Sequence, residues 1–341
     1  MSRKSAQRKH DLTADSAQKG LVKLIQSFSH GHHLHTVFSD FVELSALAIS
    51  NSVDRAQFET REKRYLDIVG KYKREEVERF PQMLDLLVES FEQRLVMVGK
   101  ETSDGPPVSG GLTDVLGETY MMLGLGNDRA GQFFTPYSVS RMMSMMVMGD
   151  VGAEVARCGF IRVNEPACGA GGMVIAAADS LLSAGANYQQ TMHATCIDID
   201  ACCVHMTYVQ LSLLHVPATV VHGNALSMEV WGTWYTPAHI LGGWTFKLRR
   251  RLEADLLREA VALERQPVEE VVAGPAIAVE VAHAAEAGAP DVAVLERDPA
   301  MATFPRTGDG TTSLAELFEQ SLASGTRERT VFDTIDQLTL F

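Results

Sequence analysis

Between positions 160 and 172 an apolar run, Phe160-Ile161-Arg162-Val163, leads into Asn164-Glu165-Pro166-Ala167-Cys168-Gly169-Ala170-Gly171-Gly172. A short strand that ends on an acid and then breaks into glycines leaves few folds open. The glycines turn where side chains would clash, and their backbone N–H groups can approach a ligand closely. Met173–Ser183 follows with small residues (Ala176, Ala177, Ala178) and predicts a helix that packs tightly on a sheet. The pattern then repeats, with a strand at Ala194–Ile197, a helix at Ala201–Leu214 and a strand at Ala218–Val221. Strand–helix alternation at this spacing predicts an α/β fold with a parallel, Rossmann-like sheet and right-handed crossovers.

The chain ahead of this unit reads differently. Residues 1–18 are polar and basic at the start. From Lys19 to Met97 the periodicity is helical, with a break expected at Phe80-Pro81 and Leu84, Leu87, Phe91 and Leu95 recurring beyond it. A Gly/Pro loop at 101–111 precedes a helix expected over Leu112–Leu123. The expected organisation is an all-helical domain over 1–125 and a Rossmann-like domain over 126–310. Within the second, Phe246–Leu263 predicts a charged helix. Strands at 277–281 and 291–295, or partial disorder, are expected in 266–310. A C-terminal helix, linker and terminal peptide occupy 311–341.

The ends of the three strands define a ligand. Gly169, Gly171 and Gly172 present the N-terminus of the next helix, where a dinucleotide fold would seat a pyrophosphate. The spacing here is G-x-G-G, and Glu165 would repel a pyrophosphate; an acid there suits a positive ammonium or sulfonium. The second strand ends at Asp198, about 26 residues past Gly172, where an acid accepts from ribose hydroxyls. The third strand ends Val221-His222-Gly223-Asn224, and a side-chain amide there can donate to and accept from an adenine edge. Together they describe S-adenosylmethionine.

With Gly131-Gln132-Phe133-Phe134-Thr135-Pro136 upstream and the Asn164–Gly172 segment downstream, the chain resembles the N6-adenine DNA methyltransferases. The branch it is most similar to is the modification subunit of type I restriction-modification systems. The resemblance covers roughly residues 110–225. It implies that Phe134, Thr135 and Pro136 line the methionine end of the cofactor. It further implies that Glu165, Ala167, Gly169 and Gly171 form the cofactor loop, that Asp198 holds the ribose and that Asn224 reads the adenine. It also implies DNA as substrate and a specificity subunit as partner.

That family carries (D/N/S)-P-P-(Y/F/W) after its fourth strand. The chemistry needs it, because the adenine amino lone pair is delocalised and must be localised toward the methyl group while an aromatic ring stacks on the flipped base. This chain has no such tetrapeptide; its one Pro-Pro is Pro106-Pro107, ahead of the cofactor segment. Thr236-Pro237-Ala238-His239 and Asp298-Pro299-Ala300-Met301 are degenerate stand-ins, read as ordinary loops. The catalytic residues are therefore unassigned. Two functions stay open: a DNA adenine-N6 methyltransferase, or a catalytically inactive relative that binds S-adenosylmethionine or DNA.

The last five residues, Gln337-Leu338-Thr339-Leu340-Phe341, resemble the peptide by which bacterial proteins bind the sliding clamp. Leu338, Leu340 and Phe341 would enter an apolar pocket while Gln337 supplies a directional hydrogen bond. A formal net charge of −13 repels nucleic acid overall, so DNA contact needs a local basic patch or a partner. Lys247-Leu248-Arg249-Arg250-Arg251 is the most concentrated basic run; a solvated helix face balanced by Glu253 and Asp255 is the stronger reading. His30, His32, His33 and His35 lack carboxylate or cysteine partners, so no metal is expected. Cys202 and Cys203 are expected in the core. An odd cysteine count without a signal peptide predicts a cytoplasmic protein, nucleoid-associated when on DNA, and no apolar run is long enough for a bilayer.

Overall fold

Three parallel strands, β1 (Ile161–Glu165), β2 (Met192–Asp198) and β3 (Ala218–Asn224), carry a fourth antiparallel strand, β4 (Glu229–Tyr235), in the order β1-β2-β3-β4. The computed structural model describes residues 14–28, 31–101, 111–126, 134–148 and 151–264. The register pairs Glu165 with Cys196 and Asp198 with His222, so the carboxyl ends of the parallel strands lie side by side.

The crossover helices are α9 (Gly172–Ser183), with the short α10 (Tyr188–Thr191), and α11 (Ala201–Leu213). Asp200 caps α11 by accepting from the Cys202 amide at 2.7 Å, which satisfies a donor the helix leaves open. Each expected strand and helix of this unit is present. The strands run further than their apolar runs, because ladder hydrogen bonds do not require apolar side chains.

Strand alternation separates two layers. Met192, Ala194 and Cys196 of β2 enter the main hydrophobic cluster with α9 and α11. His193 lies between them in sequence and meets Trp244 and His239, which belong to α13 (Trp244–Glu264) and α12 (Pro237–Leu241).

The helical region comprises α1 (Ser16–Gln26), α2 (Leu34–Val53), α3 (Phe58–Val69), α4 (Arg74–Val77), α5 (Arg79–Glu101) and α6 (Val115–Met122). Its buried Leu21, Phe38, Phe41, Leu87 and Tyr120 share one cluster with Val174, Val204 and Met206 of the crossover helices. Cys202 and Cys203 are buried, as expected. The helix break falls at Glu78; Pro81 lies in the first turn of α5, where a missing N–H is tolerated. Leu112–Asp114 has no regular structure, so the helix starts later than expected, and Asp114 caps α6 by accepting from Gly117 N at 2.8 Å.

Among the elements not anticipated are α7 (Tyr137–Met148), α8 (Val151–Cys158) and β4, together with the short α10 and with α12, which stands where Thr236–His239 was expected to be a loop. α7 leaves Met142, Met145 and Met146 exposed, so no clean apolar stripe marks it. β4 has Gly232 at its centre, and its first three residues face solvent. Segments 277–281, 291–295, Asp298–Met301, Gln337–Phe341 and Gly131–Phe133 lie outside the described residues.

Candidate cofactor site

The glycine turn is held against β2 by backbone alone at one point. Cys168 N donates to Ile197 O at 2.9 Å, and Gly171 N closes a turn onto Cys168 O at 2.8 Å. Gly169 has φ +55° and Gly171 φ +91°, the left-handed region that favours glycine. A Cβ at Gly169 would stand 3.1 Å from the Phe134 ring. The upstream segment is thus packed on the cofactor turn, and the two motifs separated in sequence meet in space. Phe134 in turn leans on Tyr120, with ring centroids 5.3 Å apart. Thr135 and Pro136 are exposed beside it.

Asp198 sits where β2 ends. Its carboxylate accepts from Gly169 N at 2.8 Å through one oxygen and from Asp200 N at 2.9 Å through the other. Burial raises its pKa, opposed by these backbone donors. Each oxygen keeps a further lone pair for a hydroxyl. Glu165 stands at the end of β1, accepts weakly from Ala167 N at 3.4 Å, and is also raised, by burial and then by the Asp198 charge. Among the described residues no lysine or arginine pairs with either carboxylate. Two partly buried acids without a cation form a region that attracts positive charge. Glu165 and Asn164 also line an open cleft along β1 with Val163, Met173 and Ala177.

Asn224 ends β3, but its side-chain oxygen accepts from Leu226 N at 2.9 Å and Ser227 N at 3.3 Å, closing the turn into β4. Only its NH2 group is left for a ligand, so the expected two-sided reading of adenine narrows to donation. Ile199, 61% exposed beside Asp198, offers an apolar surface there that the sequence reading passed over.

The stand-in Thr236–His239 is structural. Thr236 is fully buried; its hydroxyl accepts from Ala218 N and donates to Val216 O, each at 2.9 Å. His239 is buried with Nδ1 2.8 Å from His193 Nε2 and Nε2 3.0 Å from Thr245 Oγ1. Neither side chain is available to a flipped base. In the basic run, Arg249 pairs with Glu253 and Arg251 with Asp255, and Lys247 lies 4.4 Å above Trp244. His32 lies 3.5 Å from Glu76. Among the described residues no cluster of three or more metal-ligating side chains occurs, and no helix is long and apolar enough to cross a membrane.

A largely parallel sheet with a glycine turn after β1, an acid at the end of β2 and a polar residue at the end of β3 is a Rossmann-like arrangement, with its cofactor site at the carboxyl ends of the strands. Residues 113–240 match the family model for N-6 DNA Methylase. The family's cofactor is S-adenosylmethionine. The donor set among the described residues fits it: two carboxylates with no lysine or arginine partner there, for a sulfonium and ammonium and for ribose hydroxyls. No curated protein matches the chain. A solved structure described as a class I S-adenosylmethionine-dependent methyltransferase from Listeria monocytogenes is similar at 11% identity and TM-score 0.35. The alignment covers 64% of this chain and 56% of that one, so the chain spans little more than half of that structure.

Proposed function

We propose that the chain is an S-adenosylmethionine-dependent DNA adenine-N6 methyltransferase of the type I modification-subunit kind, acting with a partner that supplies DNA specificity. The observation that supports this best is the placement of Asp198 against Gly169. It joins the ribose-binding acid to the loop that would hold the methionine moiety. Bound there, the cofactor would supply an electrophilic methyl group on a sulfonium. The chain's own part is to attract that cation through Glu165 and Asp198, to orient the ribose through Asp198, and to donate to the adenine from Asn224. Phe134, Thr135 and Pro136 would border the methionine end, and Ala167, Gly169 and Gly171 would contribute backbone.

A second reading has its own support. Thr236 and His239 are committed to the core, so the described residues include no clamp for an adenine amino group. On that reading the chain is an inactive, methyltransferase-derived protein that binds S-adenosylmethionine or DNA and is brought to the sliding clamp by Gln337, Leu338, Leu340 and Phe341. We keep the helical region over 1–125, the Rossmann-like region over 126–310 and the terminal segment over 311–341 as the working division, and the cytoplasm or nucleoid as the working location.

Incubation with methyl-labelled S-adenosylmethionine and mixed DNA, with and without candidate specificity subunits, separates the two. Label entering adenine N6, and lost in Asp198→Ala, supports the enzyme. Cofactor binding with no transfer under any condition overturns it.

A further inference from the structure

α11 carries Thr207 and Gln210 one turn apart, and both are fully buried on a helix that is otherwise largely apolar. Thr207 Oγ1 donates to Gly169 O at 2.9 Å. Gln210 Nε2 donates to Ala170 O at 2.8 Å and to Asp114 Oδ1 at 2.7 Å, and Gln210 Oε1 accepts from Leu116 N at 3.1 Å. The glutamine amide therefore spends both hydrogens and its oxygen on protein groups. Asp114 is itself anchored by Gly117 N and lies against Gly172, where a Cβ would come within 3.2 Å of its Oδ2.

We propose that Thr207 and Gln210 are positioning residues that set the orientation of the cofactor loop. A peptide whose carbonyl is bound from behind turns its N–H partner the other way. Holding the Gly169 carbonyl toward α11 turns the Ala170 N–H the other way, and holding the Ala170 carbonyl fixes the peptide whose Gly171 N–H is closed on Cys168 O, so the loop keeps one shape and needs no reorganisation when the ligand arrives. Without these donors the two carbonyls would be buried and unsatisfied, and the flexible glycines would rotate to rehydrate them. Asp114 ties this clamp to the start of α6, so the helical region takes part in shaping the cofactor loop.

This inference rests on the loop being the S-adenosylmethionine site, and the test separates the two. S-adenosylmethionine affinity is measured by calorimetry on the full chain for wild type, Thr207→Val, Thr207→Ser and Gln210→Met. Hydrogen exchange of the peptide spanning 167–173 and the unfolding midpoint are followed in parallel. Thr207→Val keeps the shape and removes the hydroxyl, whereas Thr207→Ser keeps the hydroxyl. Expected are a roughly tenfold or greater loss of affinity and faster exchange in Thr207→Val and Gln210→Met, with recovery toward wild type in Thr207→Ser. Wild-type affinity in a folded Thr207→Val, or equal losses in Thr207→Ser and Thr207→Val, overturns the positioning role alone. Wild-type protein that takes up no S-adenosylmethionine overturns the cofactor reading and the positioning role with it.

Discussion

Asp198 accepts a hydrogen bond from the Gly169 amide at 2.8 Å, so the acid at the end of β2 and the turn after β1 form one unit. Removing the carboxylate frees Gly169 N and Asp200 N as well as any ribose contact. Asp198→Ala is expected to weaken S-adenosylmethionine binding by about tenfold or more, given about 1.5–3 kcal/mol for hydrogen bonds to a charged group. Calorimetric titration checks this, and an unchanged Kd would remove Asp198 from the site.

Glycine substitutions separate backbone conformation from crowding. Gly171 has φ +91°, and a Cβ there would lie 3.2 Å from Thr207 Oγ1. Gly185 has φ +76° with nothing within 4 Å of its Cβ position. Gly185→Ala should cost only the left-handed term of about 1–2 kcal/mol. Gly171→Ala should cost more, and the urea unfolding midpoints of the two variants test the order.

Acid should destabilise the protein. Burial lowers His193 to about 3 and His205 and His239 to about 4, from an ordinary value near 6.5. Unfolded imidazoles bind protons from about pH 6.5 downward while the folded ones do not, so their contribution is present above that pH. It is lost as pH falls toward 4, at up to about 1.4 kcal/mol per pH unit per group. Asp114 works the other way. Burial raises it to about 6, so its burial favours the fold more as pH drops from 6 toward 4. Burial raises Asp198 and Glu165 in the same sense as Asp114 and lowers His215 along with the other imidazoles; His193, His205 and His239 carry the larger shifts, and a melting temperature that stays flat between pH 7 and 5 would refute this balance.

Arg61 links the helical region to the sheet. Its guanidinium binds Asp54 at 2.9 Å and Thr233 O at 2.9 Å and lies 4.0 Å from the Trp234 ring centre. All three contacts are buried or nearly so. Arg61→Met should lower stability by about 3 kcal/mol or more, because Asp54 is left buried without its cation. Denaturant unfolding reads the change directly, and a loss below about 1 kcal/mol would show that the pair is dispensable.

The terminal peptide gives a separate prediction. Deleting Gln337–Phe341 should abolish recovery of the sliding clamp in a pull-down with the full chain while leaving S-adenosylmethionine affinity unchanged. Equal clamp recovery with and without the peptide would reject that recruitment.

Where the candidate site residues stand in the fold could largely be read from residue order. Glu165, Asp198 and Asn224 end β-strands and Gly169 and Gly171 follow one, and strand ends gather at one edge of a parallel sheet whatever surrounds them. β4 and α7 could not be read so, because their exposed apolar residues break the periodicities on which such reading depends. Thr207 and Gln210 gave a weaker signal. Polar residues three apart on an apolar helix imply buried partners but do not name them.

The sequence alone determined the ligand chemistry, since an acid-glycine turn and a following strand-end acid are local patterns with a fixed spatial sense. It also determined that the familiar Pro-Pro tetrapeptide is missing. Tertiary structure decided what those residues are free to do. It showed Asn224 with its oxygen already spent on a turn, and Thr236 and His239 drawn into the core by partners from other elements. It also placed the Gly169 and Ala170 carbonyls on side chains about forty residues away. A hydrogen bond can be spent only once, and which partner takes it depends on distances that chain order does not contain.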